Sequence, residues 1–352
     1  MSALRSRFPS CDSASQPARS PLTRLRPPLI RATRGAAVLL LSVLPLAAEG
    51  TAAAADTTNL PAKVSALTWN VCGAWRGCAE WDEPEAKVER VVEVVRQDPT
   101  VAVIMLQEVC LGLHAEPLQQ QLGDGWLVRF RAAPHTGPGE SPNGVVSCDA
   151  DRRGLPPGDS PSPLLGGDEQ GGQTRDQRAQ IGGRRDVAGV LVAMRNLPGS
   201  QLHPVNMTFV QDPSQGAACI KDTGNLLFAC SSHFMNERAD PDRRSRIASG
   251  HNFRDQSFFL QEQGYRTVIG GDLNAAPDSA PLRPLYDGNF EADSTMKTPT
   301  FWSKALVKLD HIFFSDHGWD SLGAGILFPG DLSDGHWLSD HLMLKGSATP
   351  TS

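Results

Sequence analysis

Five places in this chain share one arrangement: an apolar stretch of strand length that stops at a short polar or charged side chain. LTWNV carries Asn70 at its end, VAVIMLQ runs into Glu108, and NLLFACSSHF holds His233. YRTVIGGDLN ends on Asp272 and Asn274. The fifth is shared between LDHIFFS, with Asp310, and LSDHLMLKG, with Asp340 and His341. The run at 101–107 is almost wholly apolar, which suits a strand buried on both faces. WLVRFRA at 126–132 alternates, as a half-buried strand does. In α/β proteins, functional groups gather where strands end.

Other elements follow from the same periodicities. Strands are expected at 62–71, 187–195, 205–211, 225–234, 265–274, 309–315 and 338–346. VERVVEVV at 88–95 presents one apolar helical face. Asp82 is placed to cap that helix, with Glu85 at the capping-box spacing and Pro84 in the first turn. A second helix, carrying several Arg, is expected over 241–263. Residues 134–186 are Gly, Pro, Ser and charge with little apolar content, longer than an ordinary loop in a compact domain. They read as an insertion, because polar strand ends lie on both sides of them. Residues 149–180 offer too few apolar groups to offset the entropy of ordering them.

The first 55 residues read as a signal peptide and leader rather than as fold. Arg24, Arg26, Arg31 and Arg34 precede the apolar run AAVLLLSVLPLAA at 36–48, and small residues follow. Basic, then apolar, then small is the pattern of a secretory signal. The apolar run is shorter than the roughly 20 residues that span a bilayer, so no membrane span is expected after cleavage near Ala55. The leader holds seven Arg and two acidic residues. Its removal takes the net charge from −6 to −11, which disfavours broad phosphate binding but leaves room for a local basic cleft.

Export also sets the reading of cysteine. Beyond the leader lie Cys72, Cys78, Cys110, Cys148, Cys219 and Cys230, an even number with no CxxC pair. Disulfides are expected rather than zinc. Spacing favours Cys72 with Cys78 and Cys219 with Cys230, which leaves Cys110 with Cys148.

Each polar strand end has a bland explanation by itself. Asn70 can cap a turn, Asp272 with Asn274 can form an Asx turn, His233 can be a satisfied structural histidine, and Asp340–His341 can cap a strand. Glu108 is less bland, since a carboxylate after a buried strand needs a partner. Taken in order, TWN at 68–70, QE at 107–108, SSH at 231–233, GDLN at 271–274, LDHIFF at 309–314 and SDH at 339–341 resemble the endonuclease/exonuclease/phosphatase superfamily, to which deoxyribonuclease I belongs. The likeness runs from about Lys63 to Lys345, with no counterpart for the insertion.

The resemblance implies one α/β domain over 56–352: a four-layer sandwich of two packed mixed β-sheets flanked by helices. It implies a phosphoester hydrolase dependent on Mg²⁺, with Mn²⁺ or Ca²⁺ as substitutes. Glu108 would be the principal metal ligand, with Asn70 and Asp340 completing the metal environment. His341 would take a proton from the attacking water, oriented by Asp310. Asp272 would position that water, Asn274 would bind a phosphoryl oxygen, and His233 would donate to the phosphate or leaving oxygen.

His233 stands where abasic-site endonucleases of the superfamily tend to carry tyrosine, whereas deoxyribonuclease I and bacterial sphingomyelinases carry histidine. The glutamate that pairs with this histidine in deoxyribonuclease I has no evident counterpart.

The expected substrate is a phosphodiester, nucleic acid before lipid, with no stable protein partner. Arg184, Arg185, Arg238, Arg243, Arg244 and Arg246 are candidate phosphate contacts, or else a solvated helix face. No hairpin with aromatics clustered at its tip stands out to favour a membrane lipid; Trp75 and Trp81 come nearest. A sphingomyelinase-like lipid phosphodiesterase and a phosphomonoesterase are the alternatives within this chemistry. A non-catalytic binding protein on the same scaffold is the rival of another class, disfavoured by the intact set of polar residues.

Overall fold

The computed structural model describes residues 59–74, 83–133, 148, 187–209, 212–302, 306–327 and 337–351. These all fall within one compact unit, Ala54–Ser352. The leader and, apart from Cys148, the insertion at 134–186 lie outside the described residues, as do Arg184 and Arg185.

Among the described residues the strands are β1 (Val64–Asn70), β2 (Val101–Cys110), β3 (Trp126–Ala132), β4 (Ala188–Arg195), β5 (Leu202–Phe209), β6 (Asp212–Asp222), β7 (Leu227–His233), β8 (Arg266–Asp272), β9 (Asn289–Glu291), β10 (Phe301–Trp302), β11 (Leu306–Val307), β12 (Asp310–Ser315), β13 (Trp319–Leu327) and β14 (Met343–Pro350). The main helices are α1 (Pro84–Gln97), α2 (Glu116–Leu122) and α3 (Arg244–Gln261). One six-stranded sheet runs β13-β14-β1-β2-β4-β3, the other β5-β6-β7-β8-β12-β9; β10 and β11 form a separate hairpin. Both sheets are mixed. β1 and β2 are parallel and joined through α1, β7 and β8 are parallel and joined through α3, and the other pairs within the two sheets are antiparallel.

Three apolar clusters give four layers. Ala66, Val103, Met105 and Val192 of the first sheet pack against Ala218, Ile220, Ala229, Val268 and Ile312 of the second. The alternate residues Leu67, Trp69, Ile104 and Leu106 face α1 and α2. Cys219, Phe228, Ile269 and Phe313 face Phe253 and Leu260 of α3. A strand in the middle of such a stack is apolar on both faces, which is why β2 reads as an unbroken run. In α3 the buried positions 246, 249, 250, 253, 257 and 260 recur at helical spacing and set its inward face.

Several details differ from what the sequence predicts. Helix α1 is capped at Glu83 without a side-chain cap bond, and Pro84 takes the first helical position, where its missing N–H costs nothing. Asp82 lies outside the described residues. The last strand begins at Met343 rather than 338 and continues to Pro350. Asp340 and His341 therefore precede the strand, in a segment joined to Phe301 by a single bridge. Strands β9, β10, β11 and β13 are short, exposed or glycine-containing and carry weak periodicity. The disulfides Cys110–Cys148 and Cys219–Cys230 are present, the second directly across the β6–β7 ladder. Cys72 is also disulfide-bonded; Cys78, its expected partner, lies outside the described residues.

Candidate active site

Register brings the polar strand ends together. Asn70 pairs with Gln107 across the parallel β1–β2 ladder, and His233 pairs with Asp272 across β7–β8. β12 runs antiparallel to β8, so its first residue, Asp310, pairs with that same Asp272. β14 runs antiparallel to β1, so the segment just before it returns to the end of β1 that bears Asn70. Asn70, Glu108, His233, Asp272, Asn274, Asp340 and His341 line one cleft between the sheet ends, and Asp310 lies beneath it against His341.

Two backbone features aim the side chains. β2 bulges between Leu106 and Val109, and Glu108 within the bulge has φ +54°; a bulge of this kind redirects a side chain out of strand alternation. Asn274 has φ +45°, a conformation that non-glycine residues adopt chiefly where surroundings enforce it. Gly271 precedes Asp272 with φ +134°, and a Cβ there would stand 1.9 Å from the Ser232 carbonyl oxygen. The glycine of GDLN lets β7 and β8 close on each other beside the site.

Asp272 is the hub. Its Oδ2 accepts from Asn70 Nδ2 at 3.1 Å and lies 3.3 Å from His233 Nε2 and 3.7 Å from His341 Nε2. Its Oδ1 accepts the Asn274 amide at 3.0 Å. Burial opposes the charge on Asp272, but His341, His233 and Asn70 outweigh it and hold the carboxyl far below the usual range. The neighbour supplied to His233 is thus Asp272. Burial works against the charged ring of His233, and Asp272 and Glu108 overcome it, so its pKa is raised.

His341 is buried, with Nδ1 2.7 Å from Asp310 Oδ2. Burial lowers its pKa, and Asp310, Asp272 and Asp340 more than reverse this, raising it to about 10. Ser339, which the sequence did not mark as a site residue, holds the segment. Its Oγ donates to the Asn70 carbonyl at 2.7 Å and accepts the His341 amide at 3.1 Å. The SDH string contained that serine, but its role depends on a contact with β1 that sequence spacing does not reveal.

Asn70 joins the two carboxylates of the cleft through its side chain. Its Oδ1 accepts the Cys72 amide, and its Nδ2 bridges Glu108 Oε1 and Asp272 Oδ2 at 3.1 Å each. It therefore presents donors to the two carboxylates. Glu108 Oε2 is buried without a hydrogen-bond partner among the described residues. Asp340 faces the cleft; desolvation there, together with Glu108 and Asp272, raises its pKa despite His341. A carboxylate oxygen left unsatisfied beside a second carboxylate suits a hard cation. No group of three His, Cys, Asp or Glu among the described residues is arranged to hold a metal; a site built on Glu108 and Asp340 would leave positions to water. That is the usual situation for Mg²⁺, which retains waters.

Residues 67–341 match the Endonuclease/Exonuclease/phosphatase family. The chain belongs to that family. No curated protein sequence matches it, but solved structures share the family fold. The human Nocturnin catalytic domain with bound sulfate aligns at TM-score 0.55 and 18% identity, over 82% of this chain and 94% of that one. D. rerio TDP2 complexed with single strand DNA product aligns at 0.52 and 12%, over 82% and 100%. The mannosyl-6-phosphatase Bt3783 of Bacteroides thetaiotaomicron aligns at 0.54 and 12%, over 81% and 99%. At these identities the likeness establishes the fold.

The walls of this family member's cleft differ in character. Arg238 and Arg243 are exposed and line one side. Arg244 points elsewhere, 3.8 Å from Asp242. Arg246 also lines the cleft but is buried, bonded to Asp240 and to the Asn274 carbonyl. Phe301, Val307 and Leu309 add an apolar part to the lining. Here the structure corrects the expectation from sequence, because β10–β11 is a hairpin with exposed apolar residues. Trp302 and Leu306 are 53% and 55% exposed, and Trp302 packs edge-on against Trp337 at 4.8 Å. Residues 303–305 at its tip lie outside the described residues. The hairpin is tied to the site, with Trp302 N donating to the Asp340 carbonyl and the Phe301 ring 4.7 Å from that of His341.

Proposed function

We propose that this chain is a secreted phosphodiester hydrolase that works with a divalent cation, Mg²⁺ foremost, on nucleic acid. Membership of the family sets the reaction class as phosphoester hydrolysis. The observation that carries the reading is the buried Glu108 Oε2, without a hydrogen-bond partner among the described residues, in the same cleft as a histidine–aspartate pair. Glu108 and Asp340 would hold the cation, and Asn70 would space the carboxylates through its amide. Bound there, Mg²⁺ would polarise a phosphoryl oxygen and, by its charge, lower the affinity of nearby groups for protons.

The chain's own residues account for the rest. Asp310 fixes His341 through Nδ1, which directs Nε2 to the proton of an attacking water. The 3.7 Å from that nitrogen to Asp272 Oδ2 exceeds a hydrogen bond, so Asp272 orients the water rather than occupying the base. His233, with its raised pKa, donates to the phosphate or the leaving oxygen. Asn274 gives one side-chain N–H to the Phe234 carbonyl and retains the other for a phosphoryl oxygen. Arg238 and Arg243 give an anionic chain a path into the cleft, and the TDP2 relative solved with single-stranded DNA is consistent with that.

The exposed hairpin supports a second reading, a lipid phosphodiester. Trp302, Leu306 and Trp337 beside the cleft could enter a membrane interface. A panel of duplex DNA, single-stranded DNA, RNA, sphingomyelin vesicles and a phosphomonoester, each with and without Mg²⁺, separates the readings. Cleavage of a polynucleotide only with metal is expected. Sphingomyelin turnover with none of DNA or RNA would replace the first reading by the second, and no hydrolysis of any member would overturn both. Secretion rests on the leader and the disulfides; no helix among the described residues is long and apolar enough to cross a membrane.

A further inference from the structure

Beside the cleft lie four ionisable side chains that the proposed chemistry leaves unused: Glu291, Asp293, Lys308 and His311. None is more than 6% exposed. Lys308 Nζ donates to Asp293 Oδ2 at 3.0 Å and lies 3.4 Å from Glu291 Oε1. His311 Nδ1 is 2.7 Å from that Glu291 oxygen, and its Nε2 is 2.9 Å from the Ala275 carbonyl oxygen. Tyr286 Oη donates to Glu291 Oε2. Burial raises the Glu291 pKa, but His311, Lys308 and Tyr286 bring it down to about 2, so the carboxylate is ionised. His311 thus bridges two acceptors, the Glu291 carboxylate and the Ala275 carbonyl.

Such a group is hard to explain by stability alone. Desolvating charges is costly, and apolar side chains of equal volume often serve a core as well or better. What distinguishes this network is what it grips. His311 holds the Ala275 carbonyl, and Arg246 Nη1, coming from α3, holds the preceding Asn274 carbonyl at 2.6 Å. Asn274, with φ +45°, supplies the first of these carbonyls, and its N–H is held by Asp272 Oδ1. Donors from two separate elements, β12 and α3, pin successive carbonyls of the turn that presents Asn274 to the cleft. Released from either, the turn would be free to leave that sparsely populated conformation.

We propose that His311, held by Glu291, is a positioning residue for Asn274, fixing the amide that meets the substrate phosphoryl oxygen. The proposal rests on the phosphoester reading for its consequence in turnover, while its structural half stands independently.

The test uses the full-length protein and three variants: His311→Gln, which can serve only one of the two acceptors; Asn274→Ala; and their combination. Hydrolysis of bis(p-nitrophenyl) phosphate in Mg²⁺ is compared with thermal unfolding and with the Asn274 side-chain NH₂ signals in ¹⁵N NMR, assigned by their loss in Asn274→Ala. His311→Gln should lower kcat on the order of 10- to 100-fold, as a misplaced group remote from the chemistry does, and leave KM within about twofold. In the Asn274→Ala background it should cause no further loss, because a residue acting through Asn274 has nothing left to position. The Asn274 NH₂ signals should collapse toward the averaged position of a mobile amide, with β8 amides unmoved. If His311→Gln does not fold, Glu291→Gln takes its place with the same expectations. Additive losses in the double variant, or NH₂ signals that do not move, overturn the proposal. Absence of all phosphoester hydrolysis by the wild type refutes the functional reading instead, and the NMR comparison then decides the positioning on its own.

Discussion

His341 Nδ1 stands 2.7 Å from Asp310 Oδ2, across 31 residues of chain. The bond is made between the first residue of β12 and a segment that has not yet entered β14, and Thr300 Oγ1 secures its far end by accepting the Asp310 amide. Asp310→Asn keeps the shape but can present an N–H to the ring and favour the wrong tautomer. Loss of kcat by about 10³- to 10⁴-fold is expected, the scale known for aspartate–histidine pairs, with a lower melting temperature at neutral pH, because buried His341 loses the carboxylate that favours its charged form. Steady-state kinetics on a cleaved phosphodiester would measure it. A loss under about tenfold would remove His341 from the role of base.

Glu108→Gln should separate metal use from folding. Its carboxylate carries a buried oxygen without a hydrogen-bond partner among the described residues and raises the pKa of Asp340, so in chelator the neutral variant should melt at or above the wild-type temperature. Mg²⁺ affinity by calorimetry should fall by more than the roughly 10- to 100-fold lost when only the support of a ligand is removed. Unchanged Mg²⁺ binding would place the cation elsewhere.

Acid should act through Glu291. Its folded pKa, about 2, lies below the ordinary glutamate value near 4.3. A depressed carboxylate contributes stability that is fully present above the unfolded value and is lost as pH falls through the folded one. Urea unfolding should therefore show a decline between about pH 4.3 and 2, on the order of 3 kcal/mol from this group. Glu291→Gln should flatten that part of the profile. An equally steep profile in the variant would assign the acid sensitivity to other carboxylates.

Salt should weaken polynucleotide binding through Arg238 and Arg243, which line the cleft. Replacing both with Ala should reduce the slope of log affinity against log salt by about 0.7–0.9 for each phosphate no longer neutralised. Replacing Arg244, already beside Asp242, should leave the slope unchanged. Filter binding or fluorescence anisotropy over a salt series reads this directly, and equal effects from Arg244 and Arg243 would point to a diffuse field instead of a path.

The hairpin offers a counterpart test. Trp302→Ser with Leu306→Ser removes exposed apolar surface without touching a charged group of the cleft. If the substrate is polynucleotide, turnover of a small soluble phosphodiester and flotation with phosphatidylcholine vesicles should both match the wild type. Wild-type flotation that the double variant loses would favour the lipid reading.

Much of this protein was legible in the chain itself, for identifiable reasons. β2 and β8 are buried on both faces, so burial wrote them as unbroken apolar runs, and the polar residues that end them stood out by contrast. The order TWN, QE, SSH, GDLN, LDHIFF and SDH carried the family and its layered architecture. Cys219 and Cys230 flank a turn short enough to suggest their bridge. What the chain could not show depends on contacts between distant segments. The bulge and φ +54° at Glu108, the inward turn of Arg246, the Asn70 side-chain nitrogen shared by two carboxylates, and the exposure of Trp302 all follow from how the two sheets and their loops meet. Local pattern records which side chains avoid water. Direction, partner and charge state are decided by neighbours tens to hundreds of residues away, and only the assembled sandwich brings those neighbours within hydrogen-bond range.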